Sequence, residues 1–246
     1  MTPNSSAPQK LYLLQLSTST VPFPGGRTLD MSMGCYLLET GDGRHILIDS
    51  GLPADYQRAP GSPPAENEKN VIEHLADLGL RPDDIDTVIC THFDVDHAGH
   101  HDSFTRAEFI VQREHYDLAR SGYERYAPIR AHWDHPDLRY RLVDGDTELQ
   151  PGLTLIKTSG HTPGHQSVLV RLPRTGPVLL AIDAVAIQGA FTPDRQASPV
   201  DEDEEQLRAS TRKLLDLVER EQVALTIFHH DGQQWQTLKK APSFYD

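Results

Sequence analysis

Apolar positions along the chain fall mostly in short runs, and several of these runs stop on a His or an Asp. Leu11-Tyr12-Leu13-Leu14-Gln15-Leu16 predicts a first strand, followed by a Ser/Thr/Pro/Gly stretch from Ser17 to Thr28. Gly34-Cys35-Tyr36-Leu37-Leu38-Glu39 and His45-Ile46-Leu47-Ile48-Asp49 flank Gly41-Asp42-Gly43, a hairpin turn signal. Further strands are expected at Asp86-Thr87-Val88-Ile89-Cys90, Glu108 to Gln112, Leu153 to Thr158, Pro177 to Ile182 and Ala224 to Phe228. Helical spacing appears at Asn70 to Gly79, with Val71, Ile72, Leu75 and Leu78 on one face, and again near Glu114 to Ala119. A longer amphipathic helix is expected from Glu204 to Glu221, with Leu207, Leu214, Leu215 and Val218 inward. The acidic run Asp201 to Glu205 suits the positive end of that helix and otherwise reads as solvated. Two segments lack a clear period. Pro53 to Glu66 reads as a long surface loop, a lid or contact surface. Ser121 to His135 reads as part of an insertion around 121–140, shaping a pocket or packing Tyr123, Tyr126 and Trp133 into the core.

Strands alternating with helices indicate an α/β fold, and 246 residues suffice for one such domain spanning 1–246, or two halves sharing a core. Formal net charge is −13, which argues against nucleic acid or an anionic membrane surface as partner. Cys35 and Cys90 lie in strand-like runs and read as buried thiols. The polar start and the lack of a long apolar segment predict neither signal peptide nor transmembrane helix, hence a cytoplasmic protein.

The chemistry concentrates in Thr91-His92-Phe93-Asp94-Val95-Asp96-His97. Four ligand-type side chains, His92, Asp94, Asp96 and His97, directly follow a strand, so they occupy the strand-end loop where active sites commonly form. A polar loop with solvated histidines is the plainer alternative, but four in six positions favour metal. Three other strands also run into His or Asp, at His161, at Asp183 and at His229-His230. Pooled, they give His92, Asp94 and His161 for one ion and Asp96, His97 and His230 for another, with His229 competing for the last place. Asp183 is left to bridge the pair, as in two-metal hydrolases. His100, His101, His115, His132 and His135 lack a strand-end position and are expected not to be ligands; His165 could support the His161 loop. Asp49 either bonds the ligand loops or merely punctuates a turn.

His92 to His97 resembles the His-x-His-x-Asp-His signature of the metallo-β-lactamase superfamily, with Asp94 in place of the second His. Gly160 to Ser167, Ile182-Asp183-Ala184 and Phe228-His229-His230-Asp231 resemble its later motifs, in order. Lys10-Leu11-Tyr12, Gly34 to Thr40, Ile48 to Gly51 and Leu142 to Asp146 are most similar to N-acyl homoserine lactonases. The resemblance implies an αβ/βα sandwich, two mixed β-sheets packed face to face with helices outside. It implies His230, followed by Asp231, as the ligand of that pair. It also implies a Tyr three residues beyond Asp183, where this chain has Ala186, so another residue, such as one from the Tyr-rich insertion, would take that role or the step would go without it.

The expected activity is hydrolytic opening of an acyl homoserine lactone by a metal-bridging hydroxide, with Asp96 either carrying a proton to the leaving ring oxygen or serving purely as a ligand. The acyl tail is expected near Val95, Ile187 and Phe191, with core packing as the plainer alternative for these three. Two divalent ions are expected, zinc foremost, with iron, manganese or cobalt suited to the extra carboxylate. The partner is a small lactone or ester, and the chain could pair as a homodimer. Rival readings are another hydrolase on the same fold, acting on thioesters, β-lactams or organophosphates, and a di-iron redox module, for which no flavin domain supplies electrons.

Overall fold

The computed structural model describes residues 6–23, 26–57, 63–66 and 68–246. Strands β1 (Pro8–Phe23) and β2 (Arg27–Thr40) form a long antiparallel hairpin, with Leu13 opposite Tyr36 and Phe23 opposite Arg27. The first strand thus extends well past Leu16. The Ser/Thr stretch that composition reads as a connector is rich in β-branched Thr18, Thr20 and Val21, and these pair with Ser32, Asp30 and Leu29. β3 (His45–Ile48) joins β2 through the expected turn, where Gly43 takes a φ of +81°. The two-residue β4 (Ala65–Glu66) pairs with Thr18 and Ser19 at the edge. Part of the loop expected as a lid, residues 58–62, lies outside the described residues.

Helix α1 (Val71–Asp77) starts on a capping box, Asn70 and Glu73 each bonding the other's backbone N–H. Then come β5 (Thr87–Ile89), the single turn α2 (Val95–Ala98), β6 (Glu108–Gln112), α3 (Arg113–Arg120), α4 (Arg130–Trp133) and β7 (Arg139–Val143). β8 (Thr147–Gln150), β9 (Leu153–Lys157), β10 (Gln166–Leu172) and β11 (Gly176–Ile182) follow. α5 (Glu204–Arg220), β12 (Leu225–Phe228) and α6 (Gly232–Thr237) complete the order. One sheet runs β4-β1-β2-β3-β5-β6-β7 and the other β12-β11-β10-β9-β8, both mixing parallel and antiparallel pairs.

Period-two alternation makes the sandwich. Leu11, Leu13, Tyr36, Leu38, Ile46 and Ile48 of the first sheet meet Leu153, Leu155, Val168, Val170, Leu180 and Ile182 of the second in one buried cluster. The other face of the first sheet, with Leu14, Leu37, Leu47 and Val88, takes Val71 and Leu75 of α1. The outer face of the second, with Ile156, Leu169 and Leu179, takes Leu214 and Leu217 of α5. The result is helix, sheet, sheet, helix. Leu217 is buried where the helical reading has Leu215, which is only half-buried. Each buried aliphatic contributes about 1.5–3 kcal/mol, and truncating Leu13 to Ala would cost roughly 2–5 kcal/mol.

Residues 121–135 pack as well as line a cavity. Tyr126 and Trp133 are buried with Cys90, Phe93 and Val111, and the Phe93 and Trp133 rings stack 4.9 Å apart. Both cysteines are free and buried. Among the described residues, no helix is long and apolar enough to cross a membrane.

Candidate metal centre

The ends of β5, β9, β11 and β12 converge at one edge of the sandwich. His92 follows β5, and Asp94 stands at the N-terminal boundary of α2, which carries Asp96 and His97. Asp183 follows β11 through Ile182, whose φ of +53° is unusual for a β-branched residue, and the β11–β12 register shifts between Leu180 and Ile182. Such strain costs about 1–3 kcal/mol and is commonly found where a side chain must be aimed. Asp49 is also left-handed, at +61°.

Four imidazoles are held by the same nitrogen. His97 donates from Nδ1 to Asp49 Oδ2 at 2.9 Å. Thr91 Oγ1 donates to the same oxygen at 2.7 Å and so accepts from His92 Nδ1 at 3.0 Å. His161 Nδ1 donates to Asp201 Oδ1 at 2.9 Å, and His230 Nδ1 to the Ser32 carbonyl at 3.0 Å. Every Nε2 is thereby left facing the centre, as metal-binding imidazoles require. Asp49 is more than turn punctuation: it anchors two of the four. His115, a non-ligand by position, ties two ligand loops together, accepting from Phe93 N–H at 2.8 Å and donating to the Pro163 carbonyl at 2.7 Å.

The Nε2 and carboxylate atoms form two groups. Ligand atoms of His92, His161 and Asp183 lie within 4.8 Å of one another, as do those of Asp96, His97, His229 and His230. Asp94 Oδ2 stands 3.4 Å from His92 Nε2 and 3.1 Å from His161 Nε2, while Asp183 Oδ2 is 3.6 and 3.5 Å from the same atoms. In the second group, Asp96 Oδ2 is 3.8 Å from His97 Nε2 and 3.6 Å from His230 Nε2. Asp183 reaches these nitrogens at 3.3 Å with Oδ2 and Oδ1 respectively. A tetrahedral ion bound at 2.0–2.1 Å separates its ligands by about 3.3–3.4 Å, so the spacings suit two ions sharing Asp183. Nε2 of His92 and of His97 and Oδ1 of Asp183 are buried without a hydrogen-bond partner, which a cation would satisfy.

His229 also enters the second group, but its ring is fully buried and its Nδ1 lies 3.4 Å from the Tyr36 hydroxyl. His230 instead lines the open cavity. His100, His101, His115, His132, His135 and His165 belong to neither group among the described residues. His165 supports its loop through Thr158 Oγ1 at 2.9 Å.

Two side chains essential to this arrangement escape the sequence pattern. Arg125 grips Asp94 with Nε on Oδ1 at 2.6 Å and Nη2 on Oδ2 at 2.5 Å, and its Nη1 reaches the Val200 carbonyl and Glu202. Burial opposes charge on Asp94, yet the guanidinium and the two imidazoles outweigh it and hold the carboxyl well below its usual range. Asp201, read as solvated, is nearly buried against His161 and also accepts from Ser198. The acidic run is therefore divided. Asp201 serves a histidine, Glu202 pairs with Arg125, and Asp203 caps α5. Gly160, at φ +134°, lets the His161 loop lie on α5, where an added Cβ would sit 2.3 Å from Leu207 N.

A cavity of about 1000 Å³ opens over both groups, bounded by Leu29, Met31, Val95, Ile129, Ile187 and Val200. Val95 and Ile187 line it, but Phe191 does not; its ring packs 5.5 Å from Phe228 in the outer core of the second sheet. Ala186 is on the wall. Among the described residues the tyrosine that lines this cavity is Tyr56, from the 53–66 loop and not from the 121–140 region.

The sequence pattern of the metallo-beta-lactamase superfamily matches residues 35–226. The chain belongs to the metallo-beta-lactamase superfamily. Within it, the chain is 33% identical over 230 residues to an N-acyl homoserine lactonase from Bacillus sp, covering 89% of each. It is 33% identical over 229 residues to N-acyl homoserine lactonase AttM of Azorhizobium caulinodans, covering 82% of this chain and 83% of that one. An N-acyl homoserine lactone hydrolase, solved with the product N-hexanoyl-L-homoserine at its catalytic metal centre, superposes with a TM-score of 0.84 at 29% identity. The match covers 97% of this chain and 100% of that one. The expected superfamily sandwich is therefore the fold observed, and the chain is a hydrolase of that fold.

Proposed function

We propose that this protein opens the ring of N-acyl homoserine lactones, using two divalent ions held by His92, Asp94, His161 and Asp183 on one side and Asp96, His97, His230 and Asp183 on the other. The carrying observation is the common orientation of four imidazoles, each fixed at Nδ1 and facing Asp183 with Nε2, at the floor of an apolar cavity. The named relatives give the substrate class. When bound, the ions would supply Lewis acidity and lower the pKa of the attacking water. Zinc suits the imidazole-rich set; iron, manganese or cobalt suits its three carboxylates.

The chain's own residues do the rest. Leu29, Met31, Val95 and Ile187 offer the acyl tail an apolar wall and exclude water from the reacting carbonyl. Asp96 lines the cavity with its carboxylate partly exposed, and the oxygen not turned toward His97 and His230 could take the proton of the attacking water and pass it to the departing ring oxygen. Ala186 and Tyr56 both line this cavity, and Tyr56 is the candidate to offer a phenol hydroxyl to the substrate. Acid release, followed by pH-stat titration against homoserine lactones, other lactones, esters and β-lactams, tests the reading. Metal-loaded protein should turn over the homoserine lactones fastest and chelator-treated protein should turn over none. Preference for β-lactams or simple esters would reject the substrate class.

A further inference from the structure

The two ligand groups have the same donors, one carboxylate and two imidazoles each, with Asp183 common to both. Their surroundings carry different charge. Asp94 is paired with Arg125 at two points, and Asp201, behind His161, has Arg195 Nη2 at 3.6 Å. Among the described residues, the ion-pair partners of Asp96 are His97 and His230, and that of Asp49 is His97. Both arginines thus stand on one side of the site.

We infer that Arg125 is a positioning residue that orients Asp94 and cancels its charge, so that the two ions are held unequally: tightly at Asp96-His97-His230 and loosely at His92-Asp94-His161. Arg125 is built for this role. Four of its five N–H groups are engaged by Asp94, the Val200 carbonyl and Glu202, and Nη2 lies 3.1 Å from His161 Nε2, the nitrogen that an ion in this group would claim. Its side chain is about one-fifth exposed, so the guanidinium is screened little and its charge acts on whatever cation lies beyond Asp94. A neutral donor at position 94 would leave that guanidinium facing the ion with Glu202 as its remaining carboxylate partner.

The inference rests on the dinuclear reading, and its test measures binding, not turnover. Zinc or cobalt affinities are measured by competition with a chromogenic chelator, and metal content after gel filtration by mass spectrometry. The native chain should bind two equivalents, one at least about tenfold more weakly, within the 10- to 100-fold range that partners of metal ligands command. Asp94→His keeps a donor but removes the carboxylate between Arg125 and the ion, and should weaken the looser equivalent by about 10- to 100-fold. Adding Arg125→Gln should restore it; adding Arg125→Lys, which keeps the cation, should not. Comparing the two double variants stands even where Asp94→His alone folds poorly, with circular dichroism confirming the fold of each. Equal binding by the Gln and Lys doubles, or two native equivalents of equal affinity, would overturn the inference. Two unequal native equivalents in a chain that spares homoserine lactones would reject the proposed substrate and leave Arg125 standing.

Discussion

The group around His92 and His161 and the group around His97 and His230 present matching donors but are fastened by different means. In the second, the fasteners are a fully buried carboxylate, Asp49, and a strand carbonyl, that of Ser32. In the first, they are a hydroxyl, a loop carboxylate from Asp201 and an arginine from the 124–129 turn. The second half is supported from the sheets alone, whereas the first shares Asp49 through Thr91 and adds segments laid over the sheets. The donors alone therefore do not define the two halves; their supports do.

The comparison can be broken at its shared member. Asp183→Ala should empty both groups and lower turnover by more than the 10- to 100-fold that a supporting residue commands, read by metal analysis and initial rates together. Full occupancy would mean that the halves are independent. Next in size is the pair at the end of β12. His230→Ala should lose one equivalent of metal and most activity, while His229→Ala, buried behind it, should keep both. The opposite order would move the second group's ligand to His229.

The supports themselves come third. Asp49→Ala removes the acceptor of His97 and of Thr91 and leaves buried donors unsatisfied, at about 1–3 kcal/mol each. It should lower both the thermal midpoint and metal affinity. Asp201→Ala should weaken only one equivalent and spare the melting temperature, because its loop is peripheral to the sheets. Equal effects of the two would erase the distinction between halves.

The smallest expected effect is on acid stability of chelator-treated protein. The Asp94 carboxyl, with burial opposing and Arg125 prevailing, sits below its usual value of 3.8. Its contribution is therefore in place above pH 3.8 and is lost as pH falls below it. Arg125→Gln should raise the acid-unfolding midpoint, measured by circular dichroism. An unchanged midpoint would show that the ion pair adds nothing to the fold.

Most of the donor set is legible in the sequence because strand ends carry it. His92, His161, Asp183 and His230 each follow an apolar run, and a run of that kind fixes both the strand and the place where it stops. The supports are not legible in that way. Asp201 lies 40 residues from His161, within an acidic stretch whose Glu204 and Glu205 are exposed, and only the docking of the His161 loop on α5 singles it out. Arg125 lies 31 residues from Asp94. A faint signal exists there: a carboxylate in the place of an imidazole calls for a nearby cation, and the 121–140 segment is rich in arginine. Phe191 misled because an aromatic near a site reads alike whether it faces a cavity or the core. The strand extension beyond Leu16 was hidden for a related reason, since Ser and Thr serve connectors and edge strands equally.

His92 and His97 belong to segments leaving the first sheet, while His161, Asp183 and His230 leave the second. An ion held between them would thus be a rivet through the two leaves of the sandwich, set at the edge where these strand ends meet. Leaves riveted at an edge resist sliding past one another, and the affinity of the rivet adds to the stability of the whole, by about 2.7 kcal/mol when the free ion stands at 100 times its dissociation constant. Metal supply would then govern how long the folded protein persists as well as how fast it works.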